Sequence, residues 1–154
     1  MRVLMLILCL GLLPVLTTGT EDAPVLTVWE ANNGQWEFTG GVPGPIELVV
    51  EVDVALEFSW LADASGYGGI ITGYRYGWDV ADPDDPDDPG WATDFQPDLL
   101  SAPPQSFSEG LHSLHILAQD SEEGMSRAWF LLDVQPNVPA VTTSWGSVKA
   151  VFRN

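Results

Sequence analysis

The sequence predicts an all-β protein, an antiparallel β-sandwich of about seven short strands in two sheets. Three observations carry that prediction. Apolar and polar residues alternate in short runs rich in Val, Thr, Trp, Tyr and Phe, the period-2 pattern of half-buried strands. Clusters of Gly, Pro, Asn and Asp interrupt these runs roughly every 8 to 12 residues, the rhythm of a sandwich, which a small barrel would share. No stretch beyond residue 20 holds an extended helical period with caps at its ends.

Residues 25–30 (VLTVWE) alternate and stop at Ala31-Asn32-Asn33-Gly34; residues 35–39 (QWEFT) follow and close at Gly40 and Gly41, so the pair reads as a hairpin. Gly41-Val42-Pro43-Gly44-Pro45 then breaks the chain. From residue 46 to residue 60 one parity carries Leu48, Val50, Val52, Val54, Leu56, Phe58 and Trp60, against Glu47, Glu51, Asp53 and Glu57 on the other. A strand that long bends or splits, and residues 53–55 are the expected break. After the glycine-rich turn 63–69, residues 70–79 (IITGYRYGWD) place Tyr74, Tyr76 and Trp78 on one face and Gly73, Arg75 and Gly77 on the other. Glycine in such a strand marks weakness or a close approach by another segment. Residues 80–98 are the most polar part of the chain and read as a loop with one short strand. Residues 111–120 (LHSLHILAQD) and 126–134 (SRAWFLLDV), joined at 121–124, form the last hairpin.

Residues 3–16 are an almost unbroken apolar run behind Arg2, followed by Thr17, Thr18, Gly19 and Thr20. That is the pattern of a secretory signal peptide, and the run falls short of the roughly 20 residues that span a bilayer. Cys9 lies inside it as the chain's one cysteine, with bulky Leu8 where a lipid-attachment signal wants a small residue. The exported domain is therefore expected to hold together by its core, without disulfides. The expected organisation is a signal peptide at 1–20, an N-terminal strand and hairpin extension at 21–45, a sandwich at 46–134, a linker at 135–143 and a basic amphipathic tail at 144–154. The expected location is secreted or in the cell envelope, with no stable membrane span after signal removal. With 22 Asp plus Glu against 5 Lys plus Arg and a net charge of -17, the chain lacks the basic face that nucleic acid or anionic lipid requires.

Residues 56–134 resemble the bacterial immunoglobulin-like and fibronectin III-like domains of secreted and cell-surface proteins. Phe58-Ser59-Trp60 is similar to the early core strand of that fold. Ile71-Thr72-Gly73-Tyr74-Arg75-Tyr76, leading to Asp79, is similar to its central strand, and the run from Gly110 to Asp120 with Gly124 and Ser126 resembles its last hairpin. The resemblance implies an immunoglobulin-like or fibronectin III-like β-sandwich; it says little about function, because such sandwiches host many unrelated binding roles. The acidic segment 79–98 and the hairpin 25–39 depart from a plain domain of this kind.

The densest chemical constellation is Asp79, Asp82, Asp84, Asp85, Asp87 and Asp88. Clustered carboxylates suit calcium, a hard cation that takes about six to eight oxygen ligands; repeated Asp-Pro equally describes a stiff, solvated, proline-punctuated loop. The spacing is not that of an EF-hand, and no cofactor is required. His112 and His115 point to opposite faces of a strand and cannot share one metal. His112 is expected to plug the core or a sheet edge. No serine has an evident histidine and acid partner. Trp60, Trp78 and Trp129 sit at positions suited to the core, whereas Trp29, Trp36 and Trp91 lie on the extra hairpin and the acidic segment. There they offer either aromatic platforms for sugars or caps for the sandwich ends.

The tail carries Lys149 and Arg153 without an acid, and as a helix it would gather Trp145, Val148 and Phe152 on one face. So short a helix is not stable alone in water. It needs a partner: the chain's own acidic body, another protein, or a sorting apparatus, since its Trp-Gly-x-x-Lys-Ala-x-x-Arg pattern is similar to C-terminal tags of some bacterial secreted proteins. The sequence thus points to a non-catalytic exported module for binding or structure, an adhesion or interaction domain that calcium would stabilise, with a cell-surface protein or polysaccharide as partner. The alternative is a carbohydrate-binding module built on Trp29, Trp36 and Trp91.

Overall fold

Alternating runs fold as strands here because each has one apolar parity to bury and one polar parity to leave in water. The computed structural model describes residues 22–40 and 44–136. Its strands are β1 (Val25–Glu30), β2 (Gly34–Thr39), β3 (Ile46–Glu51), β4 (Phe58–Asp63), β5 (Ile71–Trp78), β6 (Gly110–Asp120) and β7 (Met125–Gln135), with one 3-10 turn at Ser65–Tyr67. The expected signal peptide, most of the linker and the tail residues Trp145, Lys149, Phe152 and Arg153 lie outside the described residues.

Two sheets face each other, one ordered β2-β1-β4 and the other β3-β7-β6-β5. Their inner faces supply the core: Leu26, Val28, Phe38, Phe58 and Trp60 from the first, and Leu48, Val50, Tyr76, Leu114, Ile116, Phe130 and Leu132 from the second. The Phe130 ring meets Trp36, Phe58 and Phe38 at 5.1, 5.2 and 5.8 Å between centroids. Tyr74 joins the sheets by a buried hydrogen bond, its hydroxyl accepting the Ala62 N–H at 2.9 Å.

The long alternating run divides as expected, at a turn where Asp53 takes φ 65°. Both halves keep their apolar parity on the core because the chain passes from one sheet to the other at the bend, where Val54 is left 42% exposed. Two expectations are corrected. The hairpin 25–39 is no extension: β1 pairs with β4 along its length, and Leu26, Val28 and Phe38 are core residues. Nor is the sandwich wholly antiparallel, since β3 runs parallel to β7; the long chain between them supplies the crossover that parallel pairing demands.

The last hairpin shows what its Asp-x-x-x-Gly-x-Ser spacing does physically. Asp120 is buried, and its Oδ1 accepts the N–H groups of Glu122 and Gly124, both at 2.8 Å, which closes the β6–β7 turn. The Tyr67 hydroxyl donates to its other oxygen. Burial alone would raise this carboxyl, but these donors outweigh it and hold Asp120 below the ordinary carboxylate value. Buried Ser126 ties the N-terminal region to β7, accepting the Gly40 N–H at 3.0 Å and donating to the Pro24 carbonyl.

Candidate functional site

Residues 79–105 are a long connection with no named strand of its own, yet they pair with two sheet edges in turn. Tyr74 exchanges backbone hydrogen bonds of 2.9 Å with Gln96, Trp78 donates to Gly90 and Ala92 donates to Tyr76, so residues 90–96 cover the outer edge of β5. Leu56 pairs with Gln105 and Ser59 with Ser101, covering the edge of β4. Exposed edges invite unwanted pairing, and this segment seals one flank of both sheets.

Three consecutive Asp-Pro-x triplets, 82–84, 85–87 and 88–90, shape its acidic part. In each, the aspartate Oδ1 accepts the N–H two residues on, at 3.1, 2.9 and 2.8 Å for Asp82, Asp85 and Asp88. The backbone also closes from Asp85 to Asp82, Asp88 to Asp85 and Trp91 to Asp88. Proline presets φ and the Asx side chain replaces a backbone acceptor, so a short repeat makes successive turns. The Asp88 Oδ2 also accepts the Asp82 N–H at 2.9 Å, and the amides of Gly90 and Asp82 hold its carboxyl below the ordinary value.

The coil is clamped on the outer face of the four-stranded sheet. Arg75, only 7% exposed, donates from Nε to the Thr93 carbonyl at 2.9 Å and from Nη2 to the Pro86 carbonyl at 2.6 Å. Its guanidinium lies 4.4 Å from the centre of the Trp91 ring, a cation–π arrangement. Trp91 Nε1–H donates to the Asp85 carbonyl at 2.9 Å, and Arg127 reaches Asp84 at 2.6 Å. Arg75 and Arg127, the Lys/Arg residues of the described chain, thus both hold this one segment. The fit needs glycine on β5: a Cβ on Gly77 would stand 2.5 Å from the Gly90 carbonyl oxygen and 2.9 Å from the Trp91 Cα.

The structure does not gather the six aspartates proposed as metal ligands. Asp82, Asp85 and Asp88 cap turns and Asp84 pairs with Arg127, while Asp79 accepts the Ser113 N–H at 2.8 Å and faces His112. Asp87 gives its N–H to Asp85. Among the described residues no three His, Cys, Asp or Glu side chains are placed to hold a metal ion. The tryptophans also separate. Trp29 is half-exposed on the outer face of the three-stranded sheet, Trp36 packs inward on Phe130 and Trp91 lies on the opposite outer face. Trp129 is not in the core, because its parity on β7 faces the acidic segment beside His115, where the rings stack at 5.5 Å.

No known protein family matches this sequence, and no curated protein does. A solved chain of the fibronectin(III)-like modules of Clostridium thermocellum CbhA is similar, at 14% identity and TM-score 0.44. The match covers 75% of this chain and 48% of that one, so this chain spans about half that chain's length.

The two histidines have different surroundings. His112 sits half-buried at the end of the core, its Nδ1 3.0 Å from Asp79 Oδ2 and its Nε2 3.1 Å from the Ser108 carbonyl. His115 is the buried one, 4% exposed, because the acidic segment covers its face. Its Nδ1, Trp129 Nε1 and Thr93 Oγ1 are buried without a hydrogen-bond partner among the described residues. Burial, and secondarily the Arg127 charge, push the His115 pKa down from 6.5 to about 4. An unfolded chain takes up a proton below pH 6.5 that this folded site refuses, so the stability His115 confers is complete above that pH and declines as pH falls toward about 4. The melting temperature is expected to drop across this window, and the drop should shrink in His115→Phe, read by thermal unfolding at a series of pH values.

The cluster of Arg75, His115, Arg127 and Trp129 carries a faint sequence signal, the two glycines that flank Arg75. An open groove of about 300 Å3 lies elsewhere, between β1, β4 and the chain at 101–104, lined by Trp29, Glu57, Ser59, Ser101 and Pro104 among others.

Proposed function

We propose that this chain is an exported, non-catalytic β-sandwich module that binds or braces a partner at the cell surface or outside the cell. The observation that carries the reading is the commitment of its reactive side chains to the scaffold. Both ring nitrogens of His112 face oxygens, of Asp79 and of the Ser108 carbonyl, so neither is turned to a hydroxyl or thiol nucleophile. His115 is enclosed by the acidic segment, and both described arginines clamp that segment. Export is supported by the charged and apolar pattern of residues 1–20. The test has two arms. Residues 1–20 fused to a reporter active only outside the cytoplasm should export it, and the purified chain should leave polysaccharide and peptide substrates intact. Hydrolysis abolished by a single Asp or Glu substitution would overturn the reading.

Carbohydrate recognition is favoured by one feature, the half-exposed Trp29 ring in a groove with Glu57 and two serines. One aromatic platform implies weak binding. Titration with soluble polysaccharides should then perturb tryptophan fluorescence in the natural chain and not in Trp29→Ala, and an unchanged spectrum removes this reading.

Calcium is expected to shift the thermal midpoint little, because Asp82, Asp85 and Asp88 already serve backbone amides and Asp84 serves Arg127. A ligand specific to the folded state raises the midpoint by mass action. Unfolding in excess calcium and in chelator measures it, and a clear rise lost on replacing Asp84, Asp85, Asp87 and Asp88 by asparagine would establish a metal site.

A further inference from the structure

One flank of the sandwich is sealed by residues 90–105, whereas β2 and β3, on the other flank, end their sheets with no described strand beyond them. The outward parity of β3 reads Glu47, Val49, Glu51, and Val49 is 67% exposed between the two acids. Its inward parity carries Leu48 and Val50, buried at the rim of the core. The sequence contains a segment of matching alternation, Val148-Lys149-Ala150-Val151-Phe152-Arg153, with two basic residues flanking a valine on one parity and apolar residues on the other.

We propose that this segment docks as an added strand on the outer edge of β3, antiparallel to it, with Val151 opposite Val49. That register sets Arg153 against Glu47 and Lys149 against Glu51, and places Ala150 and Phe152 beside Val50 and Leu48. Phe152 then closes the flank where Trp36 of β2 stays half-buried. A slip of one residue would turn both cations toward the core and Phe152 toward water, so the register is specified by pattern. Direction follows from topology. β3 and β7 run parallel and finish together, Glu51 beside Gln135, so the chain leaves β7 at the end from which a returning strand runs back along β3. Residues 136–147 need only pass over β3, about 10 Å at two strand spacings, well within their reach at roughly 3.3 Å per residue. Charge favours the same occupant, since the body carries most of the 22 acids and its own arginines are engaged with the acidic segment.

The experiment uses the full chain with Cys9→Ser, so that no native thiol competes. Val49→Cys with Val151→Cys should form an intramolecular disulfide under mild oxidation, whereas Val49→Cys with Ala150→Cys, whose side chains would lie on opposite faces, should not. Val49 is exposed, so the substitution leaves folding intact. A charge exchange reads the same pairing: Glu47→Arg or Arg153→Glu alone lowers the melting temperature, and the two together restore it. Disulfides between two copies would show that a second chain occupies this edge. Equal cross-linking of both cysteine pairs, or midpoints unmoved by either charge change, would show that the segment serves elsewhere, as a sorting tag does. Each of these results overturns the proposal.

Discussion

Replacing Arg75 with methionine is expected to lift residues 80–96 from the sheet while the sandwich beneath stays folded. The guanidinium gives hydrogen bonds to the Thr93 and Pro86 carbonyls and stacks on Trp91. Hydrogen bonds to a charged group contribute about 1.5–3 kcal/mol each, and the ring contact adds about 1 kcal/mol. Methionine fills much of the volume and the freed carbonyls regain water where the segment lifts, so the loss falls below the sum of these contributions, at about 3 kcal/mol. The Ala92 and Gln96 amides, which bond to Tyr76 and Tyr74, should then exchange with solvent about a hundredfold faster. Amides in the centre of β6 should keep their protection. Arg127→Met makes the control: its partner Asp84 is 82% exposed, and such a pair contributes about 0–1 kcal/mol. Equal loosening of β6 in Arg75→Met would mean that segment and sandwich unfold as one unit.

Phe130→Ala is expected to have the opposite character, a global loss with no preference for the acidic segment. Phe130 is fully buried on β7, the strand that pairs with both β3 and β6, and its ring joins Trp36, Phe38 and Phe58 of the facing sheet. Removing a buried phenylalanine costs about 3–5 kcal/mol, because the cavity only partly collapses. Typical domains hold about 5–15 kcal/mol in all, so the variant should be marginal. Urea denaturation followed by tryptophan fluorescence measures the fall in midpoint; a change under about 1 kcal/mol would mean that the two sheets repack around the void.

The core strands were legible because their signal is local. Leu48, Val50, Phe58 and Trp60 share one parity in the sequence, and that parity alone says which side is buried. The break at Asp53 was legible too, since few strands run so long without a bend. Asp-Pro-x triplets were visible as a stiff loop, but not as a set of self-capping turns, and the carboxylates that suggested calcium are the caps themselves. The hairpin 25–39 was misplaced because nothing local distinguishes an appended hairpin from the edge of a sheet; only its pairing with β4 does. His115 and Trp129 show the same limit. Both lie on the parity that faces away from the core, and they are covered because a segment distant in sequence folds over them.

By itself the sequence determined the all-β class, the face of most strands that meets the core, and the net acidity of the chain, because periodicity and net charge are properties of the chain. Only the tertiary structure decided which sheet each strand joins, that β3 runs parallel to β7, and that the acidic segment is clamped as a cover on the outer face of the four-stranded sheet. Those outcomes depend on contacts between residues far apart in the chain. Arg75 with Pro86 and Thr93, Arg127 with Asp84 and His115 with Trp91 are meetings that no local pattern encodes.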